Sequence, residues 1–277
     1  MSQDKQVSRH PLIAFVGAGN MAFSLVKGLL SGGTNSEQLR VADPFPQALI
    51  RYVDTGVAVF EDNNDAIANA DVVVLAVKPQ VAADVVKALN LTDGQLLVSI
   101  AAGISMTSLA AWTSSQQPIV RCMPNTPALL GAGMSGLFAN EHCTELQKSY
   151  ASDVLDAAGL TLWLTRESDL DAVTAVSGSG PAYFFRLMEA MIDAGQSLGL
   201  DRKMATQLTL QTAYGAAMMA RETDEDPATL RINVTSPGGT TAAALDVMTD
   251  EGFGDTVERA LGAAHARSIT LAKEFGA

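Results

Sequence analysis

Leu12-Ile-Ala-Phe-Val-Gly-Ala-Gly-Asn-Met-Ala-Phe-Ser-Leu-Val-Lys-Gly-Leu-Leu30 is the stretch whose reading decides the fold. Leu12–Val16 has the length and apolar content of a buried strand, Gly17-Ala18-Gly19-Asn20 is a turn, and a helix opens at Met21-Ala22. Gly17 lets the chain leave the strand sharply, and Gly19 has no Cβ to hold a pyrophosphate off the backbone. Ala22 is small enough for close packing of helix on strand. The first N–H groups of such a helix lack intrahelical partners, and its dipole favours negative charge beside them. The stretch predicts either a dinucleotide-binding turn opening a parallel α/β sheet or a tight strand-to-helix turn that binds nothing. The strand before it and the helix after it favour the first.

The composition narrows the partners. A chain of 277 residues, 48% hydrophobic and 17% charged, has room for two domains with a core each. Its net charge of −12 argues against nucleic acid and anionic membrane surfaces, which attract basic patches. Any anionic ligand must therefore be held by local dipoles and a few placed donors. Met1–His10 lacks the apolar run of a secretory signal and reads as a frayed tail, so the protein is expected in the cytoplasm. Ala182–Leu200 is apolar but carries Arg186, Glu189 and Asp193, the mark of a packed helix and not of a membrane span. Cys122 and Cys143 have no disulfide or metal spacing, and His10, His142 and His265 are scattered, so no metal site is expected.

Further along, Leu39–Ala42 reads as a second strand ending at Asp43, the distance at which an acidic residue meets the adenosine ribose. Asp43 points to NADH, with Arg40 or Arg51 able to offset its repulsion of a 2′-phosphate; the alternative is an exposed turn residue before Pro44. Val57–Val59 is a short strand, followed by the helix-cap cluster Asp62-Asn-Asn-Asp65. The apolar runs Val72–Val77, Leu96–Ile100 and Ile119–Cys122 read as parallel strands buried on both faces. They end in Lys78-Pro-Gln80, Ala101-Ala-Gly103 and Met123-Pro-Asn-Thr-Pro127, which should line one crevice with the glycine turn. Lys78 is either a cofactor contact or a solvated lysine, and Arg121 reads as a structural ion. Thr144-Glu-Leu-Gln147 matches a capping box opening a helix to Ala158, and Leu160–Leu164 supplies a last strand.

From Glu167 onward the apolar residues fall at helical spacing, as at Phe184, Leu187, Met188, Met191 and Ile192. The expected organisation is a dinucleotide-binding domain over 1–166 and an all-helical domain over 167–277. Ser177-Gly-Ser-Gly-Pro181 precedes a long helix, and Thr235-Ser-Pro-Gly-Gly-Thr-Thr241 precedes another at Ala242–Thr249. Each is either an anion cradle or a capped interhelical turn. Small residues at Ala190, Ala194, Gly195, Gly199, Ala213, Gly215, Ala216 and Ala217 permit close helix contact, which favours an intertwined dimer over tight packing within one chain.

The set Val16-Gly-Ala-Gly-Asn-Met-Ala22, Val77-Lys-Pro-Gln80, Arg121-Cys-Met-Pro-Asn-Thr-Pro-Ala128, Gly178-Ser-Gly-Pro-Ala-Tyr183 and Ser236-Pro-Gly-Gly-Thr-Thr241 resembles the pyrroline-5-carboxylate reductase family over nearly the whole chain. The resemblance implies an α/β fold with an N-terminal Rossmann-like domain and an all-helical C-terminal dimerisation domain. It implies hydride transfer from NADPH or NADH to 1-pyrroline-5-carboxylate, giving L-proline, by a homodimer that can assemble into a ring of dimers. By resemblance, Gly17, Ala18, Gly19, Asn20 and Met21 form the pyrophosphate turn, with Asp43 at the ribose and Asn63 at the adenosine end. Val77, Lys78, Pro79, Ala101, Ala102, Met123 and Pro124 wall the nicotinamide. Glu167, Asn233, Ser236, Gly239, Thr240 and Thr241 form the substrate pocket, partly supplied by the second subunit. The substrate carboxylate is expected on the Gly239 and Thr240 N–H groups, with the catalytic Thr241 hydroxyl on the ring nitrogen. The alternatives are a β-hydroxyacid dehydrogenase, whose lysine base would have to be Lys203, and a dinucleotide-responsive regulator without chemistry.

Overall fold

The computed structural model describes residues 11–275; the tail expected at Met1–His10 lies outside them. Eight strands form one sheet: β1 (Ile13–Val16), β2 (Leu39–Ala42), β3 (Ala58–Phe60), β4 (Val72–Leu75), β5 (Leu96–Ser99), β6 (Ile119–Met123), β7 (Gly133–Ala139) and β8 (Gly159–Trp163). Between and after them run α1 (Asn20–Ser31), α2 (Pro46–Leu49), α3 (Asn63–Ile67), α4 (Pro79–Ala88), α5 (Met106–Trp112), α6 (Glu145–Asp156) and α7 (Asp169–Val173). Then come α8 (Gly180–Ser197), α9 (Arg202–Glu222), α10 (Pro227–Asn233), α11 (Thr240–Asp250) and α12 (Phe253–Phe275).

The strand order is β3-β2-β1-β4-β5-β6-β7-β8, with parallel pairing from β3 through β6. Strand order reverses between β1 and β4, and ligands of such sheets bind beyond the carboxyl ends of the strands at that point. The apolar runs are continuous because both faces are covered. Ile13, Phe15, Val72, Val74, Leu96 and Val98 join one core, while Ala14, Val16, Val73, Leu75 and Leu97 join the other. The expected capping box is present: Gln147 N–H donates to Thr144 Oγ1 at 3.2 Å, and Thr144 N–H donates to Gln147 Oε1 at 2.9 Å.

Sequence reading passes over β7, which pairs antiparallel with β6 and parallel with β8. Its glycines are the reason. A Cβ on Gly133 would lie 2.8 Å from the Ala158 carbonyl oxygen, and one on Gly136 would lie 3.0 and 3.1 Å from the two Val173 methyls. Glycine inside a strand marks close approach, and it removes the β-branched signal by which a strand is read.

The chain divides into two compact units, one running to Gly178 and including the chain from Ala264, the other Ser179–Ala263. The last strand, β8, ends at Trp163, and α7 after it still packs on β7 and β6. The last turns of α12 also belong to the sheet unit: Ser268 Oγ donates to Asp171 Oδ1 at 2.7 Å, and Phe275 packs against the second core. In the other unit α8 pairs with α9, where Gly195 meets Ala205, whereas Gly215 has open space beside it. Among the described residues no helix is long and apolar enough to cross a membrane.

The contact at Gly136 gives a stability prediction. Gly136→Ala should cost about 1–3 kcal/mol, because both methyls of a stiff β-branched side chain stand in the way. In chemical denaturation, Val173→Ala in the same chain should recover part of that loss; strict additivity of the two changes would show that the approach is not what excludes a side chain.

Candidate active site

The glycine turn has the geometry its residue types demand. Gly17 has φ 101°, its N–H donates to the Ala42 carbonyl at 2.8 Å, and a Cβ there would lie 2.6 Å from the Ala76 carbonyl oxygen. Only glycine can pass between β1 and the end of β4. Gly19 caps α1 with extended backbone and no side-chain hydrogen bond, and nothing lies within 4 Å of where its Cβ would be. The amides of Asn20, Met21 and Ala22 thus start a helix whose end is open, and α1 begins one residue earlier than the sequence suggests. Ala18 and Ala22 are buried beneath the turn, while Gly19 and Asn20 are exposed.

This arrangement fits a dinucleotide: an uncapped helix start, a missing Cβ over open space, and a place at the carboxyl end of the sheet where the strand order reverses. Val77 and Pro79 at the end of β4, Ala101 and Ala102 at the end of β5, and Met123 and Pro124 at the end of β6 stand at neighbouring strand tips, as expected. Lys78 is exposed at the N-cap of α4 and makes no capping bond. Asn63, the first residue of α3, keeps a buried side-chain oxygen with no hydrogen-bond partner, an open valence on a residue expected at the adenosine end.

Asp43 is engaged with the glycine turn itself. Its Oδ2 accepts from the Ala18 N–H at 2.9 Å and its Oδ1 from the Phe45 N–H at 3.0 Å, so the carboxylate braces the glycine turn from below. Sequence distance alone cannot distinguish the two roles.

Glu167 is likewise engaged. Its Oε1 accepts from the Met106 N–H at 2.7 Å and pairs with Arg121, whose side chain is largely buried in β6. Arg121 is thus the structural ion that was expected; the pair ties the chain after β8 to β6, and the Met106 N–H ties it to the start of α5. Asn125, quoted in the sequence motif but given no role, links three segments. Its Oδ1 accepts from Met134 N–H at 2.9 Å, and its Nδ2 donates to the Ser177 carbonyl and Oγ, each at 3.1 Å. Ser177 lies in a π-helical turn, Thr174–Gly178, where a loop was expected before α8. The only sequence sign of that tie is the turn-forming Asn-Thr-Pro.

In the helical unit, Ser236, Gly239, Thr240 and Thr241 form the turn into α11, and Asn233 ends α10. The helix starts at Thr240, two residues before the expected start. Gly238 has φ 69°, Gly239 is an N-cap without a side-chain bond, and a Cβ on Gly239 would run into Ser236 Oγ. The Gly239 N–H donates to the Ser236 carbonyl at 3.0 Å. The Gly239 amide is thus engaged within the turn, and the Thr240 and Thr241 amides open α11. Asn233 Nδ2 donates to Glu225 at 3.0 Å on the exposed surface.

Neither thiol has reactive character: burial pushes the Cys122 thiol well up, and pushes Cys143 up to about 11 against hydrogen bonds to Ile119 and Asn140. Among the described residues no group of three or more His, Cys, Asp or Glu is placed to hold a metal. Lys203 is exposed in the first turn of α9.

The parallel sheet, its switch point and the open glycine cradle define a dinucleotide-dependent oxidoreductase. Residues 12–103 match a family model described as NADP oxidoreductase, coenzyme F420-dependent, and residues 167–271 match one described as pyrroline-5-carboxylate reductase dimerisation. A pyrroline-5-carboxylate reductase of Pseudomonas aeruginosa is 53% identical over 96% of this chain and 98% of its own. The solved structure of a pyrroline-5-carboxylate reductase from Coxiella burnetii superposes with a TM-score of 0.89 at 39% identity, covering 95% of this chain and 99% of that one. The Plasmodium falciparum pyrroline carboxylate reductase, solved with NADP bound, gives 0.84 at 31% identity over 95% and 98% of the two chains. The chain belongs to the pyrroline-5-carboxylate reductase family, which removes the hydroxyacid dehydrogenase and regulator alternatives.

Asp43→Ala should weaken NADH and NADPH alike, each by roughly tenfold, because the Ala18 amide loses a charge-assisted partner and the cradle loosens. Fluorescence titration of both reduced cofactors checks this. A loss confined to one of them would mean that the carboxylate reads the ribose and does not brace the turn.

Proposed function

We propose that this chain reduces 1-pyrroline-5-carboxylate to L-proline with NADPH or NADH, dividing the work between two helix starts. The observation that carries the reading is the pair of uncapped N-termini, at Gly19 and at Gly239. Gly17–Met21 would hold the pyrophosphate of the dinucleotide, whose reduced nicotinamide would supply a hydride to the C=N carbon. Asn63 serves the adenosine end; Val77, Lys78, Pro79, Ala101, Ala102, Met123 and Pro124 wall the ring.

The substrate carboxylate rests on the Thr240 and Thr241 amides, where a helix start favours an anion even in a chain of net charge −12. Ser236 and Asn233 shape the turn, and Glu167 keeps the chain after β8 in place through Arg121. The Thr241 hydroxyl hydrogen-bonds the ring nitrogen that becomes an amine. A cyclic imine is basic enough to arrive protonated, so its carbon is already electrophilic, and orientation with charge placement supplies most of the rate.

The assembly is a homodimer built through the helical unit, completed further as a ring of dimers and working in the cytoplasm. Phe184, Phe185, Leu198, Tyr214 and Val247 are each more than 60% exposed on that unit, far more apolar surface than a monomer normally leaves wet. The second subunit supplies part of the substrate pocket.

Thr241→Ala should lower turnover roughly tenfold to a few hundredfold, the value of one transition-state hydrogen bond of about 1.5–3 kcal/mol, while cofactor affinity holds. Thr240→Ala should do much less, since alanine keeps the backbone N–H. Steady-state NAD(P)H consumption with 1-pyrroline-5-carboxylate decides, and a more damaging Thr240→Ala would displace the cradle assignment. The same assay should be indifferent to a chelator; loss of activity restored by a divalent ion would overturn the metal-free mechanism.

A further inference from the structure

The adenosine end of the crevice presents an acid and two arginines, and the structure gives the three different duties. Asp43 stands at the tip of β2, where an unengaged carboxylate would repel a 2′-phosphate, but both its oxygens accept backbone N–H groups, from Ala18 and Phe45. Arg40 is turned to the far side of its strand. Its Nη1 donates to the Ala66 carbonyl at 3.1 Å and to the Ala68 carbonyl at 2.8 Å, and its guanidinium lies 5.8 Å from the centre of the Phe60 ring.

Arg51 is the cation left facing the cradle. Its Nη1 donates to Asn20 Oδ1 at 2.9 Å, and Asn20 is the first residue of α1, inside the pyrophosphate turn. Its guanidinium lies 4.2 Å from the centre of the Phe23 ring, one turn along the same helix, and Phe23 is held edge-on by the buried Tyr52 at 5.3 Å. The Tyr52 phenol is pushed up mainly by burial, which Arg51 opposes and Asp43 reinforces, so both charges act on one ring. Among the described residues no carboxylate lies within ion-pair distance of Arg51, which is exposed. A guanidinium carries five N–H donors in a planar fork suited to phosphate. One hydrogen bond and a stacked face fix its plane, and the remaining donors stay free.

We propose that Arg51 is the residue that reads the 2′-phosphate, so that it, and not the engaged Asp43, admits NADPH beside NADH. The proposal rests on the reading of Gly17–Met21 as the dinucleotide cradle. Phe23 and Asn20 serve as positioning residues, holding the fork over the start of α1 and lowering the ordering cost of phosphate binding.

Calorimetric titration of the full-length protein with NADP⁺, NAD⁺, 2′,5′-ADP and 5′-AMP tests this without turnover. Arg51→Gln should weaken NADP⁺ and 2′,5′-ADP by roughly tenfold to a hundredfold while NAD⁺ and 5′-AMP change by less than about threefold. Arg51→Lys should fall between, since it keeps a charge but loses the fork. The advantage of the 2′-phosphate should also shrink as salt rises in the parent and stay flat in Arg51→Gln. Equal losses for all four ligands would make Arg51 a mere brace of the turn and overturn the proposal, as would no loss for any. Gly19→Val separates the two readings. If it abolishes binding while Arg51→Gln leaves the 2′-phosphate preference intact, the cradle stands and this proposal alone falls. If Gly19→Val leaves every affinity unchanged, the cradle reading fails and the proposal falls with it.

Discussion

The backbone at Gly17 has to turn against the end of β4 with no room for a side chain, and much of the sheet unit is arranged around that passage. A positive φ of 101° and the nearness of the Ala76 carbonyl leave glycine as the residue that fits. Because the turn is so tight, α1 starts directly beyond the carboxyl ends of β1 and β4. Asp43 then finds the Ala18 amide within reach from β2, and Asn20 meets Arg51 from the chain after α2. A cradle assembled from four separate stretches thus depends on one missing Cβ.

Legibility in the sequence followed burial. Strands β4, β5 and β6 were readable as runs because each is apolar on both faces, and their tips fell at adjacent positions for the same reason. The caps of α3 and α6 were readable because the capping side chain lies within three residues of the amide it serves. What depended on distant partners was not readable. Asp43 shows the same letter whether it faces a ribose or the Ala18 amide 25 residues back, and Glu167 gives no hint of the Met106 amide 61 residues before it. β7 was hidden because the glycines that admit Val173 and Ala158 erase the pattern by which a strand is recognised.

Charge is handled locally throughout. The chain is strongly acidic, yet α1 and α11 each open on backbone amides that no side chain caps. Several charged side chains of the sheet unit are already satisfied: Arg121 by Glu167, Arg40 by the Ala66 and Ala68 carbonyls at the end of α3, Asp43 by amides. Local donors, and not the overall field, are therefore what an anion meets here.

Helix α12 closes the sheet unit from far along the chain. Leu271 and Phe275 approach Gly103, and Ser268 meets Asp171 across 97 residues, so the sheet unit contains a segment made well after its strands. During synthesis a nascent chain folds as its segments emerge, first residues first. The sheet of this protein must wait, one flank uncovered around Gly103 and Asp171, while the whole Ser179–Ala263 unit is translated. Synthesis of the stretch from Ala264 is thus the event that covers this flank, and truncating the chain before it would injure a unit whose strands are encoded well ahead of it.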